Sequence, residues 1–287
     1  MKRLVLASPN CADLKIAGAR ELEIKNFPDG ENYVRVSVDC SGKDVILVHR
    51  CYPNIDSGLI QLFLALHEIK EERPARVRAV IPYLPYARQD KRFLERDAVS
   101  SKIICSMLAR GGCDELITFD CHFLKRAGEF EYAGLKIKNL TMGEELLAHA
   151  KQFCKNPLVI SPDEGARYLV EKEEGARVMK KERGAYVKRG ATTFREANMV
   201  GEFSDVSGRD VIIIDDMVAS GGTMLKAARA CRERGARSIV CCATHGLFLG
   251  EAHRKLFKEG AKKVISSNTI LHETAVVDIT KKLEAVL

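Results

Sequence analysis

The sequence predicts an α/β protein made of two similar domains, each a mostly parallel sheet flanked by helices. Three observations predict it. Apolar, β-branched runs alternate with helical patterns along the chain, the order that parallel sheets with covering helices produce. A length of 287 residues suits two ordinary domains. Polar and glycine-containing stretches follow the apolar runs, where open α/β sheets hold their ligands.

The elements follow in chain order. "MKRLVLASPN" opens with a short strand-like run. "DVILVHR" reads as a buried strand, "GLIQLFLALHEIKEER" as a helix, and "VRAVIPYLPY" as a strand that two prolines end. The charged stretch 87–102, "ARQDKRFLERDAVSSK", has no apolar face in its first half and reads as a mobile surface loop. "SSKIICSMLARGG" leads into "DELITFD", and "GEELLAHAKQF" into "PLVISPD". "RVMKKERGAYVKRG" reads as a strand end entering a glycine-containing loop. "VIIIDD", "TMLKAARACRERG" and "SIVCCATHG" complete a strand–helix–strand unit. A weak internal repeat of helix, basic turn, strand and polar loop fits either duplication or the ordinary α/β rhythm. The boundary is expected near 140–143, giving domains 1–142 and 143–287, with the last residues packing back on the first domain.

Composition excludes several classes. Hydrophobic residues at 46% and charged residues at 30% describe a globular chain, not a disordered one. No apolar run reaches the roughly 18 residues of a membrane span, and the first apolar segment is too short for a signal peptide. A cytoplasmic protein is expected. The ten cysteines include no C-x-x-C pair, so they read as reduced, buried thiols and not as a zinc ribbon. The net charge of +7 suits anionic partners. There is no basic tail, no aromatic-interleaved stripe and no tryptophan, so nucleic acid is not an expected partner.

The most informative stretch is "VIIIDDMVASGGT", residues 211–223. Asp215 and Asp216 follow a fully apolar run, and Ser220, Gly221, Gly222 and Thr223 lead into a helix. Glycines let backbone N–H groups approach a ligand, and a helix N-terminus adds orphan donors, so the turn suits phosphate. The acids suit hydroxyls or a hydrated cation. A sugar phosphate satisfies both. The plainer reading is a helix cap by Ser220 or Thr223 beside two surface-exposed acids.

This stretch resembles the phosphoribosyl-diphosphate motif of type I phosphoribosyltransferases. An ordered set of further segments resembles one relative, the ribose-phosphate pyrophosphokinase family. These are "NFPDGENYVRV", "PYLPYARQDKRF", "TFDCHF", "VISPDEGARY", "MKKER", "ATHGLF" and "SNTI". The resemblance runs from about residue 25 to the C-terminus and implies two phosphoribosyltransferase-type domains. It implies that Phe27 packs on adenine and that Asp29, Gly30 and Glu31 form an ATP-binding segment shared with a neighbouring subunit. A homo-oligomer, at least a dimer, follows from that. Arg88, Gln89 and Asp90 are implied at the same nucleotide. Asp120 precedes His122, which with Asp163 becomes a Mg²⁺ partner, while His245 orients a loop. Lys181 and Arg183 are implied as the catalytic pair, with Lys180 adjacent. Asp215 and Asp216 would hold the ribose, and Ala219 to Thr223 the phosphate, with Arg183 also on ribose 5-phosphate. Ala219 and Ser220 stand where many relatives carry an acid and a threonine.

The implied reaction is transfer of the β,γ-diphosphoryl group of ATP to O1 of ribose 5-phosphate. Two rival readings share the acid–glycine motif. One is a phosphoribosyltransferase that consumes phosphoribosyl diphosphate. The other is a non-catalytic regulator of the same fold.

Overall fold

The computed structural model describes residues 2–189, 192–200 and 204–287, and the side chains of 180–204 lie outside that description. The chain divides into two compact units, Met1–Leu140 with Asp278–Leu287, and Thr141–Val277.

The first unit begins with β1 (Arg3–Ala7), β2 (Arg20–Glu21), β3 (Glu23–Asn26), β4 (Asn32–Arg35) and β5 (Asp44–Val48). It continues with α1 (Ile55–Glu71), β6 (Arg76–Val80), α2 (Ser100–Arg110), β7 (Glu115–Phe119), β8 (Gly128–Tyr132) and β9 (Leu135–Leu140). Seven strands form one sheet in the order β2-β1-β5-β6-β7-β9-β8. Only β8 runs antiparallel to its neighbour. The central β5 is buried at every position, which is why it reads as an unbroken apolar run. Leu59, Leu62, Leu66 and Ile69 of α1 recur three or four residues apart and are buried together. The start of α1 packs tightly, since a methyl on Gly58 would sit 2.6 Å from Cys51 Cα. Beside it, buried His49 donates from Nε2 to the Gly58 carbonyl at 2.8 Å and accepts at Nδ1 from Ser8 Oγ at 2.5 Å. Burial pushes the His49 imidazole down to about 4, which keeps it neutral.

The second unit contains α3 (Gly143–Lys151), β10 (Leu158–Ser161), β11 (Arg177–Val178), β12 (Lys180–Arg189), β13 (Thr192–Val200) and β14 (Asp210–Val218). It continues with α4 (Gly222–Glu233), β15 (Ser238–Gly246), α5 (Ala252–Lys258), β16 (Ala261–Ser267) and β17 (Ala275–Val277). Six strands in the order β11-β10-β14-β15-β16-β17 form a wholly parallel sheet. The chain ends with α6 (Thr280–Glu284), which belongs to the first unit. There Arg78 is bound bidentately to Asp44 and also donates to the carbonyls of Val286 and Leu287 at 3.1 and 3.3 Å.

Two local readings need correction. The segment from Lys180 to Arg189 is a strand, not a loop, and pairs antiparallel with β13. Its glycine does not open a loop. The register slips between Arg183 and Tyr186, so Gly184 lies in a β-bulge within the hairpin. The strand carrying Asp215 and Asp216 does not stop before them. β14 runs on to Val218 because Met217 and Val218 still pair with His245 and Gly246 of β15. No helix among the described residues is long and apolar enough to cross a membrane. The ten cysteines are unpaired, and all but Cys154 are buried.

Candidate active site

In the second unit, the site is built on the carboxyl end of β14. Asp215 and Asp216 are 7% and 6% exposed, which rules out the reading of them as surface acids. Each carboxylate folds back on the next amide: Asp216 N–H donates to Asp215 Oδ1 at 2.9 Å, and Met217 N–H to Asp216 Oδ1 at 2.7 Å. Burial, followed by the charges of Asp216 and then Asp163, pushes the Asp215 carboxyl well above the ordinary range. Asp163, just beyond the end of β10, therefore joins Asp215 and Asp216 of the adjacent β14 in one patch. Asp163 closes its own turn there, accepting from Gly165 N–H at 2.8 Å as the cap of the short helix Glu164–Leu169. In the sequence Asp163 is expected beside His122 as a metal partner, and nothing there signals its closeness to Asp215. That closeness follows from β10 pairing with β14.

Past β14 the chain turns sharply. Leu247 and Phe248 donate their N–H groups to the Val218 carbonyl, and Leu249 to that of Ala219, which fixes the turn to the segment after β15. Gly221 has φ +80 and caps α4 without a side-chain hydrogen bond. A methyl on it would sit 3.0 Å from Ala252 Cβ, whereas one on Gly222 would meet nothing within 4 Å. Neither Ser220 nor Thr223 is the cap, so the helix terminus keeps its donors for a ligand. Ala219 is buried, Ser220 and Gly222 are exposed, and Thr223 is half-buried. His245, on β15, is buried and shares a 2.9 Å hydrogen bond between Nδ1 and Thr269 Oγ1. It braces the loop after β16.

In the first unit, Phe27 to Glu31 make the turn of the β3–β4 hairpin. Phe27 is 49% exposed and meets Tyr33 edge-on. Asp29 Oδ1 accepts from Glu31 N–H, and Gly30 has φ +94, as the turn requires. The hairpin is tied to α1 through Asn32 Oδ1, which accepts from Ser57 Oγ and Gln61 Nε2, both at 2.8 Å. Arg88 is exposed, whereas Gln89 and Asp90 are half-buried in the loop after β6. The Gln89 carbonyl accepts from Ser101 N–H and Oγ at the start of α2. Nearby, Tyr86 holds φ +61 and donates to Asp56 Oδ1 at 2.6 Å, a contact the sequence does not signal. Asp120 is buried and His122 half-buried in the loop after β7. Asn139 pins that loop, accepting from Cys121 N–H and donating to the Arg126 carbonyl. Lys181 and Arg183 lie on β12, outside the described side chains.

This chain matches a family model described as the N-terminal domain of ribose phosphate pyrophosphokinase over residues 5–112. A second, described as the phosphoribosyl synthetase-associated domain, matches residues 176–286. The ribose-phosphate pyrophosphokinase of Sulfurisphaera tokodaii is 33% identical over 261 residues, covering 90% of this chain and 88% of that one. The one from Methanopyrus kandleri is 34% identical over 251 residues, covering 87% and 84%. The crystal structure of phosphoribosylpyrophosphate synthetase from Mycobacterium smegmatis matches with a TM-score of 0.80 at 23% identity, covering 100% of this chain and 97% of that one. At that identity it speaks to the fold, two-unit α/β with mostly parallel sheets.

Proposed function

Because this chain belongs to the ribose-phosphate pyrophosphokinase family, we propose that it transfers the β,γ-diphosphoryl group of ATP to O1 of ribose 5-phosphate, giving phosphoribosyl diphosphate and AMP. The observation that carries this reading is the joining of two buried acids to an uncapped, glycine-built helix terminus at the end of β14. One ligand needs both features: a phosphate for the N–H donors and vicinal hydroxyls for the carboxylates.

In this reading Ala219, Ser220, Gly221, Gly222 and Thr223 hold the 5-phosphate. Asp215 and Asp216 accept from the ribose hydroxyls and so orient O1. Phe27 stacks on adenine, with Asp29, Gly30, Glu31, Arg88, Gln89 and Asp90 around the nucleotide. Lys181 and Arg183 meet the negative charge that builds as O1 attacks the β-phosphorus and AMP departs. Positioning and charge neutralisation supply most of the rate in such a transfer. Losing one preorganised donor costs about 10²-fold or more.

The acid patch fits a hard cation, because Asp215, Asp216 and Asp163 offer it carboxylate oxygens, and a cation there would offset the burial and the neighbouring charges that raise Asp215. His122 and Asp163 are each proposed as Mg²⁺ partners, His122 through water. When bound, Mg²⁺ would neutralise phosphate charge. The protein acts in the cytoplasm as a homo-oligomer of at least two subunits, with the nucleotide segment shared between them.

The test is formation of AMP and phosphoribosyl diphosphate from ATP, ribose 5-phosphate and Mg²⁺, with Lys181→Ala alongside. Product that falls by about 10²-fold in the variant supports both the reaction and the catalytic pair. Product unchanged in the variant refutes the role of Lys181. No product from the parent, with tight binding of phosphoribosyl diphosphate, refutes the reaction.

A further inference from the structure

His253, His272 and Glu273 take no part in the site above. His253 is on α5, and the other two lie in the loop between β16 and β17. One potential ligand atom from each lies within 4.8 Å of the others. The two imidazoles meet edge to face at 4.8 Å, and Phe248 packs against both. His253 is 8% exposed, and neither of its ring nitrogens makes a hydrogen bond. Yet its Nε2 is 2.6 Å from Glu273 Oε1. These two facts are compatible only if the carboxylate oxygen lies off the direction in which an imidazole N–H points. A hydrogen bond needs the oxygen on that axis. A metal needs it off the axis, because the ion itself occupies the axis and the oxygen binds at an angle to it.

We propose that His253, His272 and Glu273 form a site for a first-row divalent cation of zinc type, separate from the magnesium patch. Two imidazoles and one carboxylate favour such an ion over Mg²⁺, which prefers oxygen alone. Three protein ligands leave a fourth, tetrahedral position for water. Metal–nitrogen bonds of about 2.0–2.1 Å place tetrahedral ligand atoms about 3.3 Å apart. Reaching that spacing requires Glu273, which is 67% exposed along its side chain, to draw back from its 2.6 Å approach to His253 while the wider pairs, at up to 4.8 Å, draw in. Thr274 fixes the His272 ring: its backbone N–H donates to Nδ1 at 3.2 Å, its Oγ1 lies 3.0 Å from the same nitrogen, and Ser266 Oγ supports that hydroxyl at 2.8 Å. Binding would join α5 to the loop before β17. Ala252, the first residue of α5, is the one that would crowd a side chain at Gly221. The ion is thus a strut behind the proposed phosphate turn.

The test uses the untagged full-length chain in millimolar Mg²⁺, which fills oxygen-rich sites. Co²⁺ is titrated while its visible ligand-field band is followed, and Zn²⁺ is then added in competition. The expected result is one equivalent of Co²⁺ bound with a tetrahedral spectrum and displaced by Zn²⁺. Glu273→Gln and His272→Ala should each weaken binding by at least about 10-fold, the lower limit seen for loss of even an outer partner. Glu273 is exposed, so its near-isosteric variant keeps the fold. The proposal is overturned if the parent binds no Co²⁺ at micromolar concentration. It is equally overturned by binding unchanged in both variants, or by an intense thiolate charge-transfer band, which would place the metal on cysteine.

Discussion

Gly222→Ala should separate the stability of the fold from binding at the proposed phosphate turn. Gly222 is the first residue of α4, and a methyl built there meets nothing within 4 Å. The folded protein has room for it, and glycine-to-alanine replacement at a compatible position stabilises by about 0.4–1 kcal/mol. The same empty space is where a phosphate would approach the backbone. A methyl there crowds the ligand, and overpacking of this kind costs about 1–3 kcal/mol. At about 1.4 kcal/mol per decade this is roughly 5- to 150-fold in Kd for ribose 5-phosphate. Gly221→Ala should behave in the opposite way. It needs φ +80 and places a methyl 3.0 Å from Ala252 Cβ, so the strained backbone alone costs about 1–2 kcal/mol. That lowers Tm by about 2–8 °C in a domain of this size. Calorimetric titration with ribose 5-phosphate, paired with thermal unfolding, reads both quantities. An unchanged Kd in Gly222→Ala would refute the placement of the phosphate. A Tm lowered in Gly222→Ala as much as in Gly221→Ala would refute the steric reasoning.

Three further outcomes follow from the buried charges. Asp215 holds its proton more tightly folded than unfolded, so stability falls as pH rises from about 3.9, the unfolded value, towards the folded one. Asp215→Asn removes that dependence, and at neutral pH it should raise Tm by a few degrees, about 0.5–2 kcal/mol, while turnover collapses. Asp210 shows the reverse sign. Hydrogen bonds from Arg237 and from Lys155 N–H hold its carboxyl down at about 2, against 3.8 unperturbed. Its stabilisation is present above about pH 4 and is lost as pH falls towards 2. Because Arg237 is half exposed, solvent reduces this to about 1 kcal/mol. Arg237→Met should flatten that part of an acid-denaturation curve. Arg78→Ala should cost about 3–5 kcal/mol, because it leaves buried Asp44 unpaired and frees the C-terminal carbonyls. Arg78→Met with Asp44→Leu should recover much of that loss in urea unfolding.

The α/β class was legible because parallel strands buried on both faces are rich in unbroken apolar runs, as at 45–48 in β5 and 211–214 in β14. What the sequence hid is what pairing decides. Asp215 and Asp216 look like a strand's end, because polar residues ordinarily stop a buried strand. The strand continues because β15 pairs alongside it as far as Gly246, and that pairing is not written in residues 211–218. Lys180–Arg189 looks like a loop because of Gly184, yet β13 captures it and the glycine becomes a bulge. The same limit applies to the clusters. Asp163 meets Asp215 through neighbouring strands, and His253 meets Glu273 from opposite sides of β16. In both cases the residues belong to stretches that are each unremarkable alone. A motif exposes a site when its ligands are consecutive, as at 219–223, because the turn itself does the gathering. When the sheet does the gathering, single residues carry no signal until the strand order is known.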